Sequence, residues 1–503
     1  MFKKTLQTAM AFVGIVIGAG FATGQEVLQY FVSYGRIGIL GALIAGIIMA
    51  TVGLAAIQLG SYFLANDHGT VLRRISHPVV ARILDIGVII TLFCTGFVMF
   101  AGAGSNMEQQ FGWNTAWGAL LMLVMVLVAG LLDVDRLTTV IGALTPVIVV
   151  FVLLAIFYVI ATTDGMTDGM QDAAMSVESP TPSWWLSALN YVGLTLMMGV
   201  SMSMIIGGNN IDPRPAGYGG LMGGLIFGVL MVLTTYGLYL DSESVAQDDV
   251  PMLSIVTSIN SSLGLVMSIV IIGMIFNTAI AMFYAFGKRV SVKKPERFYQ
   301  VFAVACIAGF GCSFLGFRTL VGLVYPILGY MGILLIVVVA SAWFMSIRRI
   351  REEQERREKI HVLVRRKLDP GMRFSSKQER LLERYAEESN LDSEQLTAAL
   401  EEEIDAEMLA DVEANADTAA SEAAVAAVAA SATAATATGS SDDAAASAVE
   451  VEHEDRLVSA GEPLTLPEHA QPKELEDLST ISDPADEDTK DADPDDAEDS
   501  VQK

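Results

Sequence analysis

The chain has 503 residues, 52% of them hydrophobic and only 17% charged, whereas an ordinary soluble chain is about 45 to 50% apolar and about 25% charged. The formal net charge of -26 is unevenly placed: residues 1 to 346 hold 14 Lys+Arg and 16 Asp+Glu, and residues 347 to 503 hold 17 and 41. This split excludes a single soluble enzyme and a basic nucleic-acid binder, and describes a near-neutral membrane body joined to an acidic tail.

A hydrocarbon core of about 30 Å is crossed by about 20 mostly apolar helical residues. Ten stretches satisfy this, at 8–32, 37–61, 82–105, 115–132, 139–162, 185–209, 217–240, 262–287, 298–315 and 319–346, and are named spans 1 to 10. The first continues to Val32, longer than a signal-peptide apolar region of about 7 to 15 residues, and is expected to be retained. Gly311, Gly316, Pro326 and Gly329 interrupt the last two.

The loops support the count. With the N-terminus in the cytoplasm, that side carries Lys3, Lys4, Arg73, Arg74, Arg82, Arg136, Arg214, Lys288, Arg289, Lys293, Lys294 and Arg297, against Arg36 and Arg318 opposite. Such asymmetry marks the cytoplasmic face. An even number of spans returns the C-terminus there, so a multi-pass protein of the cell membrane with both termini cytoplasmic is expected. The opposite loops are acidic, with Asp164, Asp168, Asp172 and Glu178 in one and Asp241, Glu243, Asp248 and Asp249 in another.

Small residues recur every four positions at Ala42, Gly46 and Ala50 and at Gly220, Gly224 and Gly228, a pattern that lets helices approach closely in lipid. Span 1 goes further. Its run GIVIGAGFATGQE places Gly14, Gly18, Gly20 and Gly24 around mid-span, followed by Thr23, Gln25 and Glu26. Each glycine costs a helix about 1 kcal/mol relative to alanine, so an unwound centre and close packing are both open readings. A carboxylate inside a span usually faces a pathway, and Glu26 is read either as lining a vestibule or as a structural hydrogen-bonding residue.

Span 6 echoes span 1. Gly193 and Gly199 in GLTLMMGVSMSM repeat the separation of Gly14 and Gly20 at an offset of 179 residues. Applied to the end of span 5, that offset reaches the end of span 10, which predicts two five-span halves of opposite orientation with spans 1 and 6 interrupted. Paired interruptions of this kind point to the central binding site of a transporter. In span 8, Asn277 and Thr278 lie mid-span with Ser268 further back; they complete a cation cage or serve as interhelical packing and back-bonding groups.

At these residues, GIVIGAGFATGQEV in span 1 and GMIFNTAIAMFYAFGKR in span 8, the sequence resembles the YkvI-type amino acid permease branch of the amino acid-polyamine-organocation superfamily, which has the LeuT fold. The resemblance covers residues 5 to 346. It implies an all-α membrane protein with a 5+5 inverted repeat, a secondary active transporter for an amino acid or related small zwitterion working by alternating access. It further implies that the N–H groups of Ala19, Gly20 and Phe21 receive a substrate carboxylate, with Gly199, Ser201 and Ser203 of span 6 as further contacts. The carbonyls of Gly14, Ile17 and Met274, with the Asn277 and Thr278 side chains, would hold a sodium ion. Asn277 stands where sodium-coupled relatives often have a hydroxyl, which leaves proton coupling through Glu26 as the alternative. No other cofactor is expected.

Two other classes compete. Met197, Met198, Met202 and Met204 cluster in span 6, and thioethers suit soft transition metals, although methionine is commonly an adaptable apolar filler. A non-transporting receptor or an intramembrane enzyme is the third class. The five histidines, His68, His77, His361, His453 and His469, all fall outside the spans, and no HExxH or P-loop pattern occurs, so an enzyme is not expected. The three cysteines, Cys94, Cys306 and Cys312, lie in apolar runs and form no disulfide or zinc pattern.

Beyond the core (1–346), residues 347–410 carry close Arg/Glu spacing followed by Leu381, Leu382, Tyr385, Leu391, Leu396 and Leu400, and predict a cytoplasmic helical extension. Residues 411–503, rich in Ala, Asp and Glu, are expected to be disordered, since so few apolar side chains cannot offset ordering entropy. The expected partners of the core are a small-molecule substrate and the bilayer, with no nucleic acid; a cytoplasmic partner for the tail is left open, with no residue pattern in its support.

Overall fold

The computed structural model describes residues 2–131, 144–369, 371–394, 396–406 and 408–409. The acidic tail from 411, and Arg136 with the start of span 5, lie outside the described residues.

All ten expected spans are helical among the described residues. Spans 2, 3, 5, 6, 7, 8 and 10 are Arg36–Tyr62, Pro78–Phe111, Leu144–Thr162, Trp184–Gly208, Pro213–Leu240, Ser261–Val290 and Phe317–Leu368, each long and apolar enough to cross a membrane. Spans 4 and 9 are shorter, Thr115–Ala129 and Phe298–Ser313. Span 1 is divided into Phe2–Val16, Ala19–Thr23 and Gln25–Tyr30. Short helices decorate the ends: His68–Ile75 between spans 2 and 3 at the basic end, Asp168–Met175 and Pro251–Ile259 at the acidic end.

The small-residue stripes of spans 2 and 7 meet each other in antiparallel register. A Cβ on Gly46 would come within 2.6 Å of the Gly228 Cα, and one on Gly220 within 2.5 Å of the Gly53 carbonyl; Gly224 abuts Ala50 between them. In lipid there is little hydrophobic drive between helices, so such backbone proximity supplies the van der Waals contact that holds them.

Span 6 departs from the sequence expectation: Trp184–Gly208 is one unbroken helix. The glycines that suggested an interruption serve close approach instead. A Cβ on Gly193 would meet the Gly329 carbonyl at 2.6 Å, and one on Gly199 would meet the Ile15 side chain at 2.8 Å. The hydroxyls of Thr195 and Ser203 donate to the carbonyls of Tyr191 and Gly199, at 2.9 and 2.8 Å, within the same helix. Pro326 is likewise accommodated inside span 10, its carbonyl accepting from Asn190 Nδ2 at 2.9 Å.

Span 10 does not stop at the expected membrane boundary but runs to Leu368, about 78 Å at about 1.5 Å per residue. Together with Ser376–Glu387 and the helical residues 396–406 it packs on the basic end of the bundle, and all described residues fall in one compact unit, Met1–Ala420.

Candidate functional site

The helical ladder of span 1 fails first at Gly18. The Ile17 N–H still donates to Val13 at 2.9 Å, but Gly18 is extended and its N–H turns back to Val16 at 3.1 Å; the next regular bond is Ala22 to Gly18. The carbonyls of Gly14 and Ile15 and the N–H groups of Ala19, Gly20 and Phe21 therefore have no helical partner. A second irregularity follows at Gly24, whose φ of 81° caps the short helix in the left-handed region that glycine adopts without strain. Irregular backbone at membrane depth is tolerated where protein or a polar cavity surrounds it.

Glu26 closes this space. It is 5% exposed, and its carboxylate folds back over Gly20 so far that a Cβ there would overlap it. Tyr191 Oη of span 6 donates to Glu26 Oε2 at 3.3 Å, and no Lys, Arg or His among the described residues pairs with the carboxylate. Two further buried tyrosines are associated with it. Tyr30 stacks edge-on against Tyr191 at 5.4 Å between ring centroids, and Tyr325 of span 10 is fully buried with no partner for its hydroxyl among the described residues.

The two halves of span 1 are held by different neighbours. The inner half rests on span 7, where Thr8 and Phe12 fill the space beside Gly219 and Gly223, and on span 6 through Ile15 and Gly199. The outer half is tied to spans 6 and 10: Ser187 Oγ donates to the Tyr30 carbonyl at 2.6 Å, Tyr30 Oη to Asn190 Oδ1 at 3.3 Å, and Gln29 Nε2 to the Arg318 carbonyl at 3.1 Å. The break is thus a junction between two separately anchored segments.

The expected residues are distributed as follows. Gly14, Ile17, Ala19, Gly20, Phe21 and Glu26 are at the break, with Phe21 against Phe227 of span 7 at 5.9 Å. Gly199 reaches it through Ile15. Ser203 is buried with its hydroxyl turned to its own helix. Ser201 is not brought to the break: its hydroxyl meets His68 Nδ1 at 2.8 Å at the basic end. Span 8 packs on Ala19–Thr23, with Met274 fully buried and Asn277 and Thr278 half-buried. Ser268 donates to Asn106 Oδ1 of span 3 at 2.7 Å. The span 6 methionines do not converge, since Met197 and Met204 are buried while Met202 is 53% exposed. Among the described residues, no three His, Cys, Asp or Glu side chains are placed to hold a metal ion.

Sequence reasoning passed over Tyr191, Tyr325 and Asn106, and named Gln25 without giving its side chain a role. Gln25 is fully buried with neither amide atom partnered among the described residues, and Asn106 Nδ2 is likewise unpartnered. Their common signal is a polar tip within an apolar span, weaker in sequence than a carboxylate but costly when buried without a partner.

No known protein-family model matches the chain. Among solved structures, the chain is similar in backbone course to MhsT in complex with L-phenylalanine (TM-score 0.46, 13% identity, 79% of this chain and 95% of that one). It is similar also to inward-facing Mhp1 (0.44, 13%, 69% and 77%) and to an Eremococcus coleocola manganese transporter (0.38, 11%, 79% and 92%). In sequence it is similar to two Bacillus subtilis proteins, the uncharacterized membrane protein YkvI (26% identical over 328 residues, 65% of this chain and 92% of that protein) and the uncharacterized protein YyaD (23% over 338 residues, 67% and 96%).

Proposed function

We propose that this protein is a secondary transporter of the LeuT-like kind that carries an amino acid or a related small zwitterion by alternating access, driven by a cation gradient. The observation that carries the reading is the break in span 1 with the Glu26 carboxylate folded into it. An ionisable group buried in a membrane bundle without a cationic partner is costly, and it is retained where a proton or a cation is handled. The N–H groups of Ala19, Gly20 and Phe21, which lack helical partners, favour an anionic substrate group, and the carbonyls before the break, which lack them likewise, favour a cation.

In this reading the basic end faces the cytoplasm. The coupling ion is sodium, held by the carbonyls of Gly14, Ile17 and Met274 with Asn277 and Thr278, or a proton carried by Glu26. The substrate contacts are Ala19, Gly20, Phe21 and Glu26, with Gly199 behind them. A thermal-shift screen of the detergent-purified protein against an amino acid panel, with and without sodium, tests it. A substrate raises the unfolding temperature, and sodium dependence of that rise identifies the ion; no response from any panel member under either condition opposes the proposal.

A further inference from the structure

The residues beyond Ser346 make their buried polar contacts with one subset of the bundle. Arg357, 2% exposed, is about three turns past Ser346 on the continuous helix. Its Nη1 donates to the carbonyls of Ser61 and Ile211 at 3.0 and 2.8 Å, its Nη2 to the Tyr62 carbonyl at 2.8 Å and to Asn390 Oδ1 at 3.0 Å, and its Nε to Glu353 at 2.9 Å. Ser61 and Tyr62 end span 2, and Ile211 lies between spans 6 and 7. A guanidinium is buried at acceptable cost only when its donors are met, and the carbonyls ending a helix suit a cation.

The surrounding contacts repeat the choice. Asn390 Nδ2 also donates to the Tyr62 carbonyl at 2.7 Å, Arg214 at the start of span 7 pairs with Glu358 at 3.2 Å, and Lys4 in the first turn of span 1 pairs with Glu403. Ile211 joins Ile360, Leu363, Leu382, Leu396 and Ile404 in an apolar core separate from that of the bundle. These anchors sit at the basic ends of spans 1, 2, 6 and 7, of which 1 and 6 touch at the break through Ile15 and Gly199 and 2 and 7 touch along the Gly46–Gly228 stripe. The seam is not close-packed throughout: clefts of about 240 and 390 Å³ run along it, one beside Asn66, Arg74 and Asn390, the other beside Gln58, Arg214 and Arg351.

We propose that residues 347–406 are a releasable clasp, an autoinhibitory contact of the chain on itself, which binds the basic ends of spans 1, 2, 6 and 7 into one body and keeps the span 1 break closed. The effect on uptake rests on the transport reading; the effect on the break does not.

The test is hydrogen exchange of the full chain in lipid vesicles, wild type against Arg357→Gln and Asn390→Ala, followed by uptake. Both variants are expected to speed exchange at least threefold at residues 389–404 and at residues 14–26, and to raise any uptake rate. Asn390→Ala keeps the Glu353–Arg357 pair intact and reads the clasp even if Arg357→Gln does not fold. Faster exchange at 389–404 with residues 14–26 unchanged, no change at 389–404 in either variant, or an equal effect from the exposed Arg348→Ala overturns the clasp. Exchange that responds as expected while wild type and variants show no uptake overturns the transport reading and leaves the clasp standing.

Discussion

The Glu26 carboxylate occupies the space that a methyl group on Gly20 would fill. Gly20 is therefore glycine for its neighbour's sake, since the short helix around it would accept alanine.

Gly20→Ala is expected to expel the Glu26 carboxylate from the break while leaving the fold in place, because the displaced atoms are the far end of a flexible side chain. Uptake or substrate-induced thermal stabilisation should fall at least tenfold with an unfolding temperature close to wild type. Retained ligand response in this variant would show that the carboxylate position is incidental.

Tyr191→Phe removes the hydrogen bond that Tyr191 donates to Glu26 and preserves the ring stacking with Tyr30 and Phe31. The loss is expected to be about 1.5 to 3 kcal/mol for a hydrogen bond to a charged acceptor, less to a protonated one. A pH dependence of substrate affinity displaced in Tyr191→Phe relative to wild type would identify Glu26 as the titrating group; identical profiles would argue against it.

His68 lies outside the spans and is fully buried. Its Nε2 is 2.6 Å from Arg289, which only donates, so Nδ1 carries the proton directed to Ser201. Burial first and the Arg289 charge next, with Arg73 adding, bring its pKa down from 6.5 to about 4, against the opposing pull of Asp67 and Asp85. The unfolded imidazole binds a proton near 6.5 and the folded one only near 4. Stability is therefore lost as pH falls through that window, by up to about 3 kcal/mol. Unfolding temperatures measured from pH 7 to 4 should drop in wild type and flatten in His68→Gln; parallel acid limbs would contradict this.

Gly228→Leu should separate spans 2 and 7, since any side chain there meets the Gly46 Cα at 2.8 Å. Overpacking costs about 1 to 3 kcal/mol. Gly311→Ala, in a helix with open space around it, should instead gain up to about 1 kcal/mol. Unfolding temperatures of the two variants moving in the same direction would refute the distinction.

The spans were legible because apolar length and loop charge are long-range signals, each supported by many residues. The break in span 1 was legible because four glycines coincide with Glu26. Span 6 misled because Gly193 and Gly199 carry the same composition for a different purpose, and only the position of Gly329 and Ile15 opposite them distinguishes a packing glycine from an unwinding one. Ser201 was misplaced for a related reason: helical phase alone does not reveal that His68, 133 residues earlier, lies across from it. The Arg357 contacts were invisible in sequence, where its Arg/Glu spacing looks like any solvated helix face.

Gradient-driven uptake of labelled amino acids into vesicles containing the full chain, wild type beside Glu26→Gln, with inward sodium and proton gradients applied separately, decides whether Glu26 serves transport. At least one substrate is expected to accumulate under one of the two gradients, with accumulation reduced at least tenfold in Glu26→Gln, a substitution that keeps the shape of the side chain and removes its charge. No accumulation under either gradient, or undiminished accumulation by the variant, would contradict it.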